Sequence, residues 1–229
     1  MSLVNWVLEG LLQSGLFQGL SSEVIRDQLL SRGRVKAFGA GQNVIFPQEA
    51  VKFLGVVLSG ELCVLQTFSD GTHSLMKKML PFYTIGADVA CTTNKNSPYA
   101  VVASKDSKLF LMPYDVISEP GVLEEATRLT VIHTLLTLVS NDNMRKYYRI
   151  AILSQSGLRR KICIYLALQC EKFSSREFEI SFTREELSSY LCVNRSALSH
   201  ELGQMEAEGL IRFHKNHFEV LYEIGTHNT

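Results

Sequence analysis

Arg195 and Ser199, like Ser196 and His200, stand four residues apart, so on an α-helix all four share one face. The chemistry of that face is donor-rich. Arginine offers paired donors to O6 and N7 of guanine, and serine and histidine can read base edges or phosphates. Gly203 falls on the same outward side, while Leu198, Leu202 and Met205 make an inner apolar face. Asn194 is a good N-cap, so a helix is expected from Arg195 to about Glu208. Upstream, Thr183 with Glu186 three residues later is a capping box, and Leu187, Tyr190 and Leu191 give the helix it starts a buried side. Cys192-Val193-Asn194 breaks the two helices, with Val193 as the apolar plug of a tight crossing. Two short helices so joined make a helix-turn-helix unit, whose second helix enters the major groove by its first residues. Thr183, Arg184 and Asn194, with the amides of the helix starts, suit phosphate oxygens.

The elements that must position this face follow from the spacing around it. Arg176–Phe182 reads as a short strand with Phe178, Ile180 and Phe182 on one side. Beyond Gly209, Leu210–Phe213 and Phe218–Leu221 form two strands around His214-Lys215-Asn216-His217, a hairpin wing with a partly basic tip. A helix from Leu158 to about Lys172 carries Ile162, Tyr165 and Leu166 inward. Ser154-Gln155-Ser156-Gly157 before it suits a hinge. From about Val122 to Leu153 the chain lacks Pro and Gly, and Leu129, Ile132, Leu136 and Val139 follow the 3-4-3 spacing of a helix that packs along a partner. Some 30 residues make a helix of roughly 45 Å, longer than the domain it would otherwise cover. Packing on its own chain is the alternative. Asn141-Asp142-Asn143 interrupts this stripe before Met144, Tyr147 and Ile150 resume it; such a polar break sets register or faces a ligand.

The first half differs in period. Residues 1 to about 33 are helical, with Leu8, Leu11 and Leu12, then Val24, Ile25, Leu29 and Leu30; Ser21 or Ser22 caps the second helix. From Arg34 to about Tyr114 the period falls toward two. Asn43–Phe46, Leu54–Leu58, Leu62–Leu65 and Ala100–Ala103 are β-rich, and Asp70-Gly71 joins Leu62–Phe68 to His73–Met79 as a hairpin. The fold class expected is α+β: an N-terminal antiparallel β-roll of jelly-roll type, a long dimerisation helix and a C-terminal winged helix-turn-helix. The expected domains are residues 1–121, 122–155 and 156–229.

Composition excludes several classes. The 229 residues are 46% hydrophobic, enough for two packed cores, and carry no net charge. Residues 157–229 hold nine basic and ten acidic side chains, so no general basic field supports nucleic-acid binding, and a few placed groups must do so. Most of these acids fall off the proposed reading face. No apolar run reaches the roughly 18 residues of a membrane span, and the first residues do not look like a signal peptide. Cys63, Cys91, Cys163, Cys170 and Cys192 are scattered without a Cys-x-x-Cys, which argues against a disulfide framework or zinc site and for a reducing cytoplasm.

The order of parts resembles the Crp/Fnr regulators, the family of the cyclic AMP receptor protein, across nearly the whole chain. The strongest stretch runs from Phe182 to Leu202, followed by Glu206-Ala207-Glu208-Gly209-Leu210-Ile211. In the first half, Gly41–Phe46, Leu58-Ser59-Gly60-Glu61, Asp70-Gly71 and Pro81–Gly86 match the turns of the family's β-roll in order. The resemblance implies a homodimer joined along the long helix, reading a two-fold operator in double-stranded DNA, with RNA polymerase as a further partner. Arg195 matches a base-contacting arginine. Ser196 stands where several members carry Glu, His200 where Arg is usual, and Cys192 where Gly is common. A non-glycine residue there costs about 1 kcal/mol if the turn is left-handed.

The same resemblance puts an effector pocket at Gly86, Ala87, Asp88, Ser97 and Tyr99, with Lys146 and Tyr147 of the long helix. Cyclic-nucleotide binders carry Gly-Glu there and Arg-Ser or Arg-Thr before Ala, the Arg pairing with the phosphate. Here Ala87 replaces the Glu, and Ser97-Pro98-Tyr99-Ala100 has no Arg, so cyclic AMP is not expected. Neither an iron–sulfur cluster, which needs about four thiolates together, nor a haem is expected, and no cofactor is assigned. The effector expected is an unidentified small molecule. Two other readings remain: a ligand-binding protein acting through protein contacts alone, and a cupin-type metal enzyme, for which His73 is the only histidine in the β-roll.

Overall fold

Leu3–Leu12 (α1) is helical because Val7, Leu8 and Leu11 recur at its buried side, and Leu12, expected among them, faces solvent. Ser22–Val24 (α2) opens the next helix, capped by Ser21, whose hydroxyl accepts from the Val24 amide at 3.3 Å. That helix then widens into a π turn over Ile25–Leu29 before closing at Leu30–Arg32. The computed structural model describes residues 3–68, 71 and 73–222 and comprises two compact units, Met1–Met144 and Arg145–Thr229.

The first unit is a β-roll of two four-stranded antiparallel sheets. Strands β1 (Arg34–Phe38), β2 (Asn43–Ile45), β3 (Phe53–Ser59), β4 (Leu62–Thr67), β5 (His73–Met79) and β6 (Thr84–Ile85) precede a short helix α3 (Ala87–Ala90). Strands β7 (Ala100–Ala103) and β8 (Ser107–Pro113) and helix α4 (Asp115–Ser118) complete it. One sheet runs β1-β8-β3-β6 and the other β2-β7-β4-β5. Val56, Val57, Leu62, Val101, Leu109 and Phe110 from the facing sheets fill the core. The hairpin expected at Asp70-Gly71 pairs Leu62 with Met79 through Thr67 with His73; Asp70 itself lies outside the described residues.

A single helix, α5 (Glu125–Leu153), then runs for 29 residues. Val131 and Leu135 are buried in the first unit's core, and Ile132 and Val139 are half-buried against it. Leu129 and Leu136, one heptad apart, remain 53% and 64% exposed. The expected stripe is therefore divided: two members face outward and two lean on their own β-roll.

The second unit contains α6 (Leu158–Phe173), β9 (Glu177–Glu179), α7 (Arg184–Tyr190), α8 (Arg195–Ala207), β10 (Ile211–His214) and β11 (His217–Val220). Its core joins Ile162, Tyr165 and Leu166 of α6 to Leu187, Leu198, Leu202 and Met205, with Phe178 and Phe218 stacked beneath. The first wing strand lies one residue later and the second one residue earlier than the apolar pattern suggests, because only Lys215 and Asn216 form the turn. His214 and His217 pair across it. Strand β9 adds to the far side of β11, giving the order β10-β11-β9.

Candidate nucleic-acid interface

Thr183 starts α7 as a true capping box. Its hydroxyl accepts from the Glu186 amide at 3.2 Å, and its own amide donates to Glu186 Oε2 at 2.7 Å. Cys192 then turns the chain with φ of 53°, in the left-handed region, so the condition for the expected strain is met. Val193 is half-buried against the core, as a plug between the helices should be. Asn194 caps α8, accepting from the Ser196 amide at 2.8 Å and from the Ser196 hydroxyl at 2.5 Å.

These contacts leave Arg195, Ser196, Ser199, His200 and Gly203 exposed together on one side of α8, opposite Leu198, Leu202 and Met205. Among the described residues Arg195 has neither ion pair nor side-chain hydrogen bond. Its fork is open to an incoming guanine edge. The three side chains expected at phosphates are arranged differently. Thr183 and Asn194 hold their helix starts. Arg184 is half-buried, its guanidinium over the Phe213 ring at 4.8 Å and its Nη2 donating to the Lys215 carbonyl at 3.2 Å.

The acids that weaken a nucleic-acid reading are engaged elsewhere. Arg159 on α6 donates from Nε to Glu201 at 2.5 Å and from both terminal nitrogens to Glu208 at 2.6 and 2.8 Å. This bond holds the Glu208 carboxyl below its ordinary range. Glu219 pairs with Arg212, Glu177 with His217, and Glu179 with Asn216, while Glu206 accepts from the Phe213 amide. Arg159 therefore fixes the back of the reading helix and masks two carboxylates at once. Sequence reasoning counted these charges without pairing them, because their partners lie 42 and 49 residues away. It also missed Arg149. That buried guanidinium stacks over Tyr190 at 4.5 Å and donates to its carbonyl at 3.1 Å, a cation at the C-terminus of α7.

In the first unit, Tyr99 links Ser97 to Asp88, next to Gly86 and Ala87. Gly86 has φ of 85°, and a Cβ there would lie 2.6 Å from the Phe53 carbonyl oxygen, so only glycine fits this turn. Ala87 is buried, Ser97 is fully buried and donates to the Tyr99 carbonyl at 2.7 Å, and the Tyr99 hydroxyl donates to Asp88 at 2.6 Å. Burial, with the Asp88 charge beside it, pushes the Tyr99 phenol well up. Nearby, Lys77 pairs with Asp142 of α5 at 2.5 Å and lies over the Tyr83 ring. Desolvation, with Asp88 adding to it, raises the Cys91 thiol, which opposes a redox thiolate there. Lys146 and Tyr147 are exposed residues of α5 within the second unit.

A β-roll followed by a winged helix-turn-helix with an open reading face is the build of a DNA-binding transcription regulator. Residues 131–223 match the Crp-like helix-turn-helix domain and residues 35–119 the cyclic nucleotide-binding domain. The two matches together make the chain a DNA-binding transcription regulator of the Crp/Fnr type. It is 23% identical over 185 residues to the transcriptional activator protein FnrL of Cereibacter sphaeroides, spanning 77% of this chain and 71% of that one. It is 22% identical over 183 residues to the regulatory protein HlyX of Actinobacillus pleuropneumoniae, spanning 78% and 74%. In fold it is similar to FixK2 from Bradyrhizobium japonicum, with a TM-score of 0.63, 13% identity and 83% and 93% of the chains covered. It is likewise similar to the c-di-GMP responsive regulator CLP of Xanthomonas campestris, with a TM-score of 0.66, 11% identity and 89% and 100% covered. These relatives are regulators of transcription and not enzymes, which answers the cupin-type reading. Among the described residues no helix is long and apolar enough to cross a membrane.

Proposed function

We propose that the chain acts as a homodimer in the cytoplasm, reads a two-fold operator through α8, and answers to a small molecule other than a cyclic nucleotide. The observation that carries the DNA part is the open face of Arg195, Ser196, Ser199 and His200 on a helix capped by Asn194 and braced by Arg159. Arg195 supplies the base contact and the α8 amides a phosphate contact. Support for the dimer comes from Leu129 and Leu136, large apolar side chains left in water one heptad apart, with Ile150 also exposed two heptads beyond Leu136. RNA polymerase is the further partner that such a regulator would meet.

The effector reading rests on the cassette. Asp88 stands there already bonded to Tyr99, Pro98 occupies the place of the phosphate-binding arginine, and Ala87 that of the ribose-binding glutamate. A cyclic-nucleotide phosphate would meet a carboxylate and would lack the arginine that pairs with it in cyclic-nucleotide binders. Proteins of similar fold take diverse signals: CLP is c-di-GMP responsive, and CprK is known complexed with OCPA. No metal or haem is assigned to the pocket.

Gel-shift titration against the DNA upstream of its own gene tests the output, with Arg195→Ala expected to weaken specific binding by about 1–3 kcal/mol. Equal affinity of wild type and variant for that DNA and for random DNA refutes the assignment of Arg195. Absence of any retardation favours a protein that works through protein contacts alone.

A further inference from the structure

Arg184 is the first residue of α7, where a cation would be expected to reach for a phosphate, yet its guanidinium is turned inward. It lies 4.8 Å from the Phe213 ring centre and 5.8 Å from that of Phe218. Nη2 donates to the Lys215 carbonyl, and Nη1 is shut off from solvent with no hydrogen-bond partner among the described residues. Phe213 and Phe218 are opposite one another in the wing, and Lys215 is its tip. Lys215 has φ of 55°, the left-handed conformation that a two-residue hairpin turn takes at its first position and that is uncommon for a lysine. From the other side, Asn216 donates to Glu179 at 2.7 Å and to the Ile180 carbonyl at 3.0 Å. The flat, forked guanidinium suits this place, since it can cover a ring and grip a carbonyl at once, whereas an ammonium offers one compact point of charge. Burying an unpaired N–H opposes folding, so the stacking and the grip on Lys215 must outweigh it.

We propose that Arg184 is a positioning residue that latches the wing to the start of the helix-turn-helix and so holds the exposed Lys215 ammonium against a phosphate of the bound duplex. Arg184 itself touches no DNA. The proposal rests on the DNA reading above and adds the wing to it.

The experiment is a double-mutant cycle on the full chain with a random-sequence duplex, each affinity measured across about 50–200 mM salt. Lys215→Ala makes the dependence of log K on log salt shallower by about one for each wing engaged. Arg184→Met weakens binding by at least about twofold when Lys215 is present and has no further effect in the Lys215→Ala background, the mark of two residues acting as one. Arg184→Lys, which keeps the charge and loses the fork, behaves like Arg184→Met, and in both variants amide exchange quickens over residues 213–218. Equal losses from Arg184→Met in the two backgrounds, or recovery of wild-type affinity in Arg184→Lys, overturn the proposal, because a direct phosphate contact gives both. No change in Lys215→Ala also overturns it by removing the wing contact, and Arg195→Ala still tests the reading helix separately.

Discussion

At the scale of single residues, two side chains carry strain or charge that can be read out directly. Cys192 sits at φ 53°, where a Cβ crowds the next carbonyl oxygen at a cost of about 1–2 kcal/mol. Glycine removes that crowding but adds freedom to the unfolded chain. Cys192→Gly is therefore expected to stabilise the protein by about 1 kcal/mol, read as a higher urea midpoint at unchanged slope. Glu61 is the opposite case. Burial alone would raise its carboxyl, but Ser104, Lys105 and Lys78 outweigh burial and hold it below the ordinary range. The stabilisation is fully present above the unfolded carboxylate value of about 4.3 and disappears as pH falls through the lower folded value. Glu61→Gln leaves the buried Lys78 without its carboxylate and is expected to cost about 3 kcal/mol near neutral pH. The gap between variant and wild type should narrow in urea melts at about pH 3. Cys192 and Arg195 were legible from spacing because a turn and a helix face are local. Glu61, Arg159 and Arg184 were not, since their partners sit 17 to 49 residues away.

At the scale of elements, the helices were legible wherever a cap and an apolar face coincide, as at Thr183 and Asn194. What could not be read was pairing between distant segments. Nothing near Glu177–Glu179 says that it will join the wing, and the division of the long-helix stripe depends on where the β-roll lies. That division makes a clean test. Leu136 is 64% exposed, so Leu136→Asp disturbs little within one chain. In a dimer paired along α5 it would bury two carboxylates in the seam. Sedimentation should show the variant as a monomer with an unchanged circular dichroism spectrum; a dimer that persists would move the interface elsewhere. On α8, Gly203 is exposed and a Cβ there meets nothing within 4 Å, so the fold does not require glycine. Gly203→Ala should raise stability by about 0.5–1 kcal/mol, and a lower urea midpoint would show that the helix needs its absent side chain.

At the scale of the whole molecule, a neutral protein must bind a polyanion through placed groups, and its own carboxylates and wing engage some of its cations. Arg159 and Arg212 are held by carboxylates and Arg184 by the wing, while Arg195 and Lys215 stand exposed at the ends of the reading helix and wing. Each cation that neutralises a phosphate of duplex DNA contributes about −0.9 to the slope of log K against log salt. If Lys215 and, on a random-sequence duplex that offers no specific guanine, Arg195 each meet a phosphate in both protomers of a dimer, the slope is about −4, well short of the roughly −10 reached by the lac repressor. Titration of the full chain on random-sequence duplex should return that shallow value, whereas one near −10 would mean that a broad basic surface, and not Arg195 and Lys215, carries the binding. A shallow slope has a consequence for recognition. If the slope is that shallow, non-specific binding should be weak at physiological salt, and discrimination would fall on the bases within reach of Arg195, Ser196, Ser199 and His200.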